Sequence, residues 1–141
     1  MRSLLLLVAL TLAGCAQTRV GPATNLAQAR ARWEASGADT YTMTLHRSCF
    51  CPEDYRGPFD VRVEDDAVAS VQFQDQALPT DRVVTIDALF ELLAEAYASG
   101  AARVDVTYDP ELGFPATLYI DRNEMIADEE VGYTVTDVML R

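Results

Sequence analysis

The stretch Thr85-Ile86-Asp87-Ala88-Leu89-Phe90-Glu91-Leu92-Leu93-Ala94-Glu95-Ala96-Tyr97-Ala98-Ser99-Gly100, followed by Ala101-Ala102-Arg103-Val104-Asp105-Val106-Thr107-Tyr108, changes its hydrophobic period from helical to alternating within a few residues. Thr85 is an N-cap with Asp87 in the first turn, and Ile86, Leu89, Phe90, Leu93 and Tyr97 form one apolar face until Gly100 ends the helix. Val104, Val106 and Tyr108 then alternate with polar residues, the mark of a strand with one buried face. A helix followed at once by a half-buried strand is the unit from which the fold is read.

The same unit recurs upstream. Asn25 with Gln28 gives a capping-box pattern, and Leu26, Ala29 and Trp33 keep helical spacing until Gly37. Tyr41, Met43 and Leu45 alternate with Thr42, Thr44 and His46. A second strand carries Phe59, Val61 and Val63, the pair Asp65-Asp66 makes a tight turn, and Val71 and Phe73 mark a third, with Gln74 to Asp81 read as loop. Downstream of Tyr108, Ala116, Leu118 and Ile120 form a fifth strand and Val131, Tyr133 and Val135 a sixth. The predicted fold is α+β: an antiparallel sheet of about six strands with two helices on one face, its halves reading as a tandem αβββ repeat. One mixed sheet without repeat symmetry is the competing arrangement. Trp33, Tyr41, Phe90, Leu93 and Val106 are the expected core.

The sequence has 141 residues, 50% hydrophobic and 23% charged, enough for one domain with a core. Its formal charge is −11, which opposes nucleic-acid binding through phosphate neutralisation. All 11 basic residues are Arg and His46 is the sole His, which removes lysine nucleophiles and most Ser/His, Cys/His and multi-His metal schemes. No cofactor, no metal site and no catalytic residue is expected.

The N-terminus carries a location signal. Arg2 precedes a run of apolar and small residues from Leu4 to Leu12, too short to span a bilayer, and then Leu12-Ala13-Gly14-Cys15. That box looks like the bacterial lipobox, whose Cys receives a diacylglyceryl thioether before cleavage and is then N-acylated. Residues 1–14 are therefore read as a lipoprotein signal peptide, 15–23 as the lipidated Cys15 with a short tether, and 24–141 as a single periplasmic α+β domain. Several acyl chains at about 0.8 kcal/mol per buried CH₂ make such an anchor practically permanent. Ala16 after the Cys resembles the sorting signal for the inner leaflet of an outer membrane, facing the periplasm. Seven residues from Ala16 to Pro22, at about 3.3 Å each, keep the domain within roughly 23 Å of the lipid. Its negative charge opposes lying flat on anionic headgroups.

Cys49 and Cys51 are the thiols left once Cys15 is acylated, and in an oxidising compartment the expected state is a disulfide. Two strand positions span roughly 6.6 Å, near the upper limit for a bridge, so the strand must bend there, as Pro52 suggests. A redox-exchanging bond and copper binding are the sharper alternatives. Strand alternation would send His46 to the face opposite the thiols. Tyr108, Asp109, Leu112, Gly113, Phe114 and Pro115 form a turn-rich segment that reads either as a stiff connection or as a presented interaction loop, since Leu112 and Phe114 would be unusual on a bare turn. The acidic runs Glu64-Asp65-Asp66 and Asp128-Glu129-Glu130 lack the spacing of a calcium loop and read as solvated turns.

Together, Trp33, Tyr41, Arg47-Ser48-Cys49-Phe50-Cys51-Pro52, Thr85 to Phe90, Tyr108-Asp109 with Gly113-Phe114-Pro115, and Ile126 to Glu130 carry a resemblance over nearly the whole mature chain. The sequence resembles uncharacterised bacterial lipoproteins that share a domain of unknown function of the DUF6174 kind, a likeness that implies no activity. The helix-then-hairpin halves are also similar in outline to small periplasmic modules of the PepSY and BLIP-like kind. The expected function is a membrane-anchored, non-catalytic interaction module with an envelope protein as partner. The alternatives are an inhibitor of a protease or other hydrolase, and a thiol-disulfide or other envelope enzyme.

Overall fold

The structure, a computed structural model, describes residues 21–141. Cys15, the signal segment and the tether as far as Val20 lie outside the described residues. The chain runs α1 (Pro22–Ala35), β1 (Tyr41–Ser48), β2 (Phe59–Glu64), β3 (Ala67–Phe73), β4 (Gln76–Leu78), α2 (Ile86–Ser99), β5 (Arg103–Tyr108), β6 (Pro115–Asp121) and β7 (Val131–Leu140). All seven strands form one antiparallel sheet in the order β4-β3-β2-β1-β7-β6-β5. The fold is thus α+β with a purely antiparallel sheet, and the mixed-sheet alternative is set aside.

The seventh strand comes from Gln74 to Asp81, read above as loop. Gln74 and Asp75 adopt φ of 50° and 62°, nearly repeating Asp65 and Asp66 at 49° and 62°. Positive φ at both central residues matches the twist of paired strands, so each pair closes a tight hairpin, and the second returns Gln76–Leu78 onto β3. Helix α1 starts earlier than expected. Gly21 is its N-cap and Pro22 opens its first turn, so Asn25 does not cap; its N–H already donates to the Gly21 carbonyl at 3.0 Å. Helix α2 behaves as read: Thr85 Oγ1 accepts from Ala88 N at 3.2 Å, and Gly100 ends the helix at φ 70°.

Cross-strand partners settle which side chains share a face. Tyr41, Met43 and Leu45 of β1 stand opposite Val63, Val61 and Phe59 of β2, and Leu45 also faces Val135 of β7. These join Val71, Leu118, Ile120 and Tyr133 in one core with Ala29 and Trp33 of α1 and Ile86, Leu89, Phe90, Leu93 and Ala96 of α2. Each fully buried Leu, Ile or Phe in such a core contributes about 1.5–3 kcal/mol. The opposite face carries Thr44, His46, Asp60, Arg62 and Gln72 and meets solvent. Val106 departs from expectation. It faces inward but is half-buried, because β5 is the edge strand of the sheet among the described residues.

One buried polar link fixes the helices over the sheet. The Ile86 N–H, an orphan donor at the start of α2, donates to Tyr41 Oη at 2.9 Å. Trp33 lies edge-on to Tyr41, with ring centroids 5.2 Å apart, and its indole N–H donates to Asp87 Oδ2 at 3.3 Å. Burial pushes the Tyr41 phenol up to about 12.

Candidate interaction surface

Strand β1 ends at Ser48, and Cys49-Phe50-Cys51 turns sharply away from it. The two cysteines are disulfide-bonded with Cα atoms 5.3 Å apart, closer than straight strand geometry allows, and Cys51 N donates to the Cys49 carbonyl at 2.9 Å. Phe50, at the tip, is 83% exposed. The neck of the loop is closed by Arg47 N donating to the Arg56 carbonyl at 2.7 Å. Gly57 follows at φ 86°, where a Cβ would sit 2.7 Å from Phe59 N and 2.9 Å from the Leu45 carbonyl, so no other residue fits this return.

Two arginines hold the loop from beneath. Arg47 lies 5.3 Å from the Tyr133 ring centroid and donates to the Arg82 carbonyl at 2.9 Å. Arg82 in turn stacks 3.9 Å over Tyr55 and donates to Asp54 Oδ2 at 3.0 Å. Arg47 is therefore committed to the body of the domain. His46 and Cys49, expected on opposite faces, border one shallow depression with Glu53 and Arg56, because strand alternation stops at Ser48 before reaching Cys49.

A second loop reaches the same end of the sheet. Ser48 stands opposite Gly132 and Ile120 opposite Val131, so the β6–β7 connection leaves beside the cystine loop, with only β7 between β1 and β6. Its backbone is braced by its own polar side chains. Asp121 Oδ1 and Glu129 Oε1 both accept from Asn123 N, and Asn123 Oδ1 accepts from Met125 N at 3.1 Å. Met125 is 92% exposed and Ile126 53%. The two loops also carry Glu53, Glu124, Asp128, Glu129 and Glu130, with Arg56 and Arg122 as their cations. Two loops at one end of the sheet thus present exposed apolar side chains among more acidic than basic residues.

The segment Tyr108 to Pro115 lies at the opposite end of the sheet and has a different role from a presented loop. Phe114 and Pro115 are buried, Leu112 packs against the core, and Phe114 meets Trp33 edge-on at 6.1 Å. Asp109 Oδ1 accepts from Glu111 N and Leu112 N, which folds the loop inward. A Cβ on Gly113, at φ 85°, would lie 2.3 Å from the Ala29 carbonyl of α1. The apolar side chains thus clamp α1 to the sheet, and of this segment Pro110 and Glu111 are exposed.

Sequence reading singled out Cys49 and Cys51 but not the exposure of Phe50, Met125 and Ile126. The available signal was an apolar pair, Met125-Ile126, inside a polar, strand-free stretch from Arg122 to Glu130. Among the described residues no cluster of three His, Cys, Asp or Glu side chains could hold a metal ion, and no helix is long and apolar enough to cross a membrane. Searches of curated proteins and of solved structures return no match. The sequence profile of DUF6174, a family of unknown function, matches residues 25–140, and the chain belongs to that family.

Proposed function

We propose that the protein is a lipid-anchored envelope lipoprotein of bacterial type, held through Cys15, whose domain is a non-catalytic interaction module. It docks an envelope protein through the end that carries Phe50, Met125 and Ile126. The observation that carries this reading is the exposure of three large apolar side chains on two loops braced by a disulfide, cation-π contacts and side-chain-to-backbone hydrogen bonds. A pre-ordered apolar anchor loses little conformational entropy on binding, which is what a hot spot requires. The excess of acidic over basic residues on the two loops matches a partner with an apolar recess and a basic border. Against thiol exchange stands the engagement of Arg47, the one cation beside the cysteines in sequence, with a carbonyl and an aromatic ring.

The test places a photo-crosslinking residue at Phe50, Met125 or, as a control on the polar sheet face, Gln72, in the full chain within its native envelope. Discrete adducts from the first two positions and none from the third support the reading. Adducts absent from both loops, or equal at Gln72, overturn it. The hydrolase-inhibitor alternative uses the same projecting Phe50, and the identity of the crosslinked protein separates the two. For the anchor, Cys15→Ser should abolish labelling by a fatty-acid probe; a wild-type chain that takes up no label refutes it.

A further inference from the structure

The two edges of the sheet differ. Strand β4 has three residues, whereas β5 has six, Arg103–Tyr108, and pairs with β6 alone. Ala102 N donates to the Arg122 carbonyl, so Ala102 and Arg122 are a hydrogen-bonded pair, and by antiparallel alternation Val104 and Val106 also bond to β6. The N–H and C=O groups of Arg103, Asp105 and Thr107 therefore point out of the sheet, with no strand partner among the described residues. The side chains of Arg103 and Asp105 stand on the solvent face and touch each other at 2.6 Å, both well exposed. On the other face, a groove of about 480 Å³ runs beside Val104, Val106 and Tyr108, walled by Asn25, Gln28 and Arg32 of α1.

We infer that this edge is a self-pairing surface, on which β5 of a second copy adds antiparallel about a two-fold axis through Val104. The pattern of charges selects that register. A two-fold through Arg103 sets Arg103 against its own copy, and one through Asp105 sets two carboxylates together. With the axis at Val104, Arg103 faces Asp105 of the second copy and Asp105 faces its Arg103. Both are outward-bonding positions, so each pair exchanges two main-chain hydrogen bonds, about four in all. Val104 then meets Val104 of the second copy on the apolar side, at a position that does not bond across the interface, and the groove beside β5 receives the second copy's Val104 and Val106. The intrastrand Arg103–Asp105 pair of the single chain is exchanged for two cross-strand pairs, and the exposed edge becomes the centre of a continuous sheet.

The geometry dictates a crosslink. Opposed residues that do not bond across an antiparallel pair have Cα atoms about 4.5 Å apart, within disulfide range. In the full chain, Val104→Cys should give a disulfide-linked dimer under mild oxidation, above the background set by the wild-type thiols, and Val106→Cys should not. Adding Asp105→Arg, which opposes two arginines twice, should weaken self-association by about tenfold or more, and the swap R103D with D105R should restore it. A Val104→Cys dimer no stronger than that of Val106→Cys, or one indifferent to Asp105→Arg, overturns the proposal. Sedimentation of the unmodified chain at 0.15 M salt stands independent of any variant's folding. A concentration-dependent dimer mass supports the proposal, and a monomer mass at millimolar concentration refutes it.

Discussion

Replacing Tyr41 by Phe removes a single oxygen atom from the middle of the molecule. Tyr41 and Ile86 are both fully buried, and the phenol is the acceptor for the Ile86 N–H at 2.9 Å. Ring volume and the edge-on contact with Trp33 are retained, so no cavity opens, and the change in stability reports the orphaned donor. A buried N–H left without a partner costs about 1–3 kcal/mol, more than the roughly 1 kcal/mol expected for loss of the Thr85 cap. Urea unfolding at pH 7 should show a lower midpoint with an unchanged slope for Tyr41→Phe, and a smaller drop for Thr85→Ala. The phenol also dictates a pH dependence. Burial raises Tyr41 from 10 to about 12 in the folded state, so the unfolded chain ionises first. The resulting stabilisation is complete below pH 10 and is lost between pH 10 and 12, about 2–3 kcal/mol for a shift of this size. Tyr108, also raised to about 12 by burial, contributes in the same window. Tyr41→Phe should therefore flatten the alkaline decline without abolishing it. A cost under about 0.5 kcal/mol at pH 7, with an alkaline profile parallel to that of the wild type, would falsify the view that this hydroxyl anchors α2.

Leu93→Ala, at a fully buried site on α2, should destabilise by about 2–5 kcal/mol, measured by the same urea midpoint; a cost under about 1 kcal/mol would mean the site collapses around the change. Gly113→Ala should detach α1 from the sheet, because its Cβ meets the Ala29 carbonyl and its φ is positive, and exposure of Trp33 should red-shift the protein's fluorescence; an unshifted spectrum counts against the clamp. Converting Cys49 and Cys51 together to Ser should lower stability by only about 1.6 kcal/mol in the loop-closure model, since the bridge closes three residues. Faster amide exchange should be confined to the Arg47–Gly57 region, and global acceleration would contradict a local role for the bridge.

The parts of the fold legible in sequence were those with their own period. Thr85 to Gly100 repeats every three to four residues and stops at a glycine that turns left-handed, so its limits were visible. Gln76–Leu78 has too few residues to show alternation, and its hairpin depends on two non-glycine residues, Gln74 and Asp75, taking positive φ. Val106 alternates as well as Val61 does, yet only sheet order decides that one sits at an edge and the other inside. The Tyr108 to Pro115 loop shows the limit most sharply. Its composition identified a turn with two apolar side chains, but their direction was set by α1, more than 75 residues earlier, lying against Gly113. For the candidate surface the local part was visible and the long-range part was not: Cys49 and Cys51 stand out as a pair before Pro52, whereas the placing of the Phe50 and Met125 loops at one end of the sheet arises from pairing between β1 and β7.

That central pairing also governs when the domain can form. Strands β1 and β7 are the first and last strands of the described residues, and they lie side by side in the middle of the sheet, with Arg141 N donating to the Thr40 carbonyl. Until Val131 to Leu140 emerges, a growing chain holds two separate half-sheets, each with an interior strand bare along one side. Completion requires closing a loop that spans most of the domain, so folding is expected to be slow for this size. The nascent chain is therefore most prone to aggregation, and most in need of a holding chaperone, in the interval before Val131–Leu140 arrives.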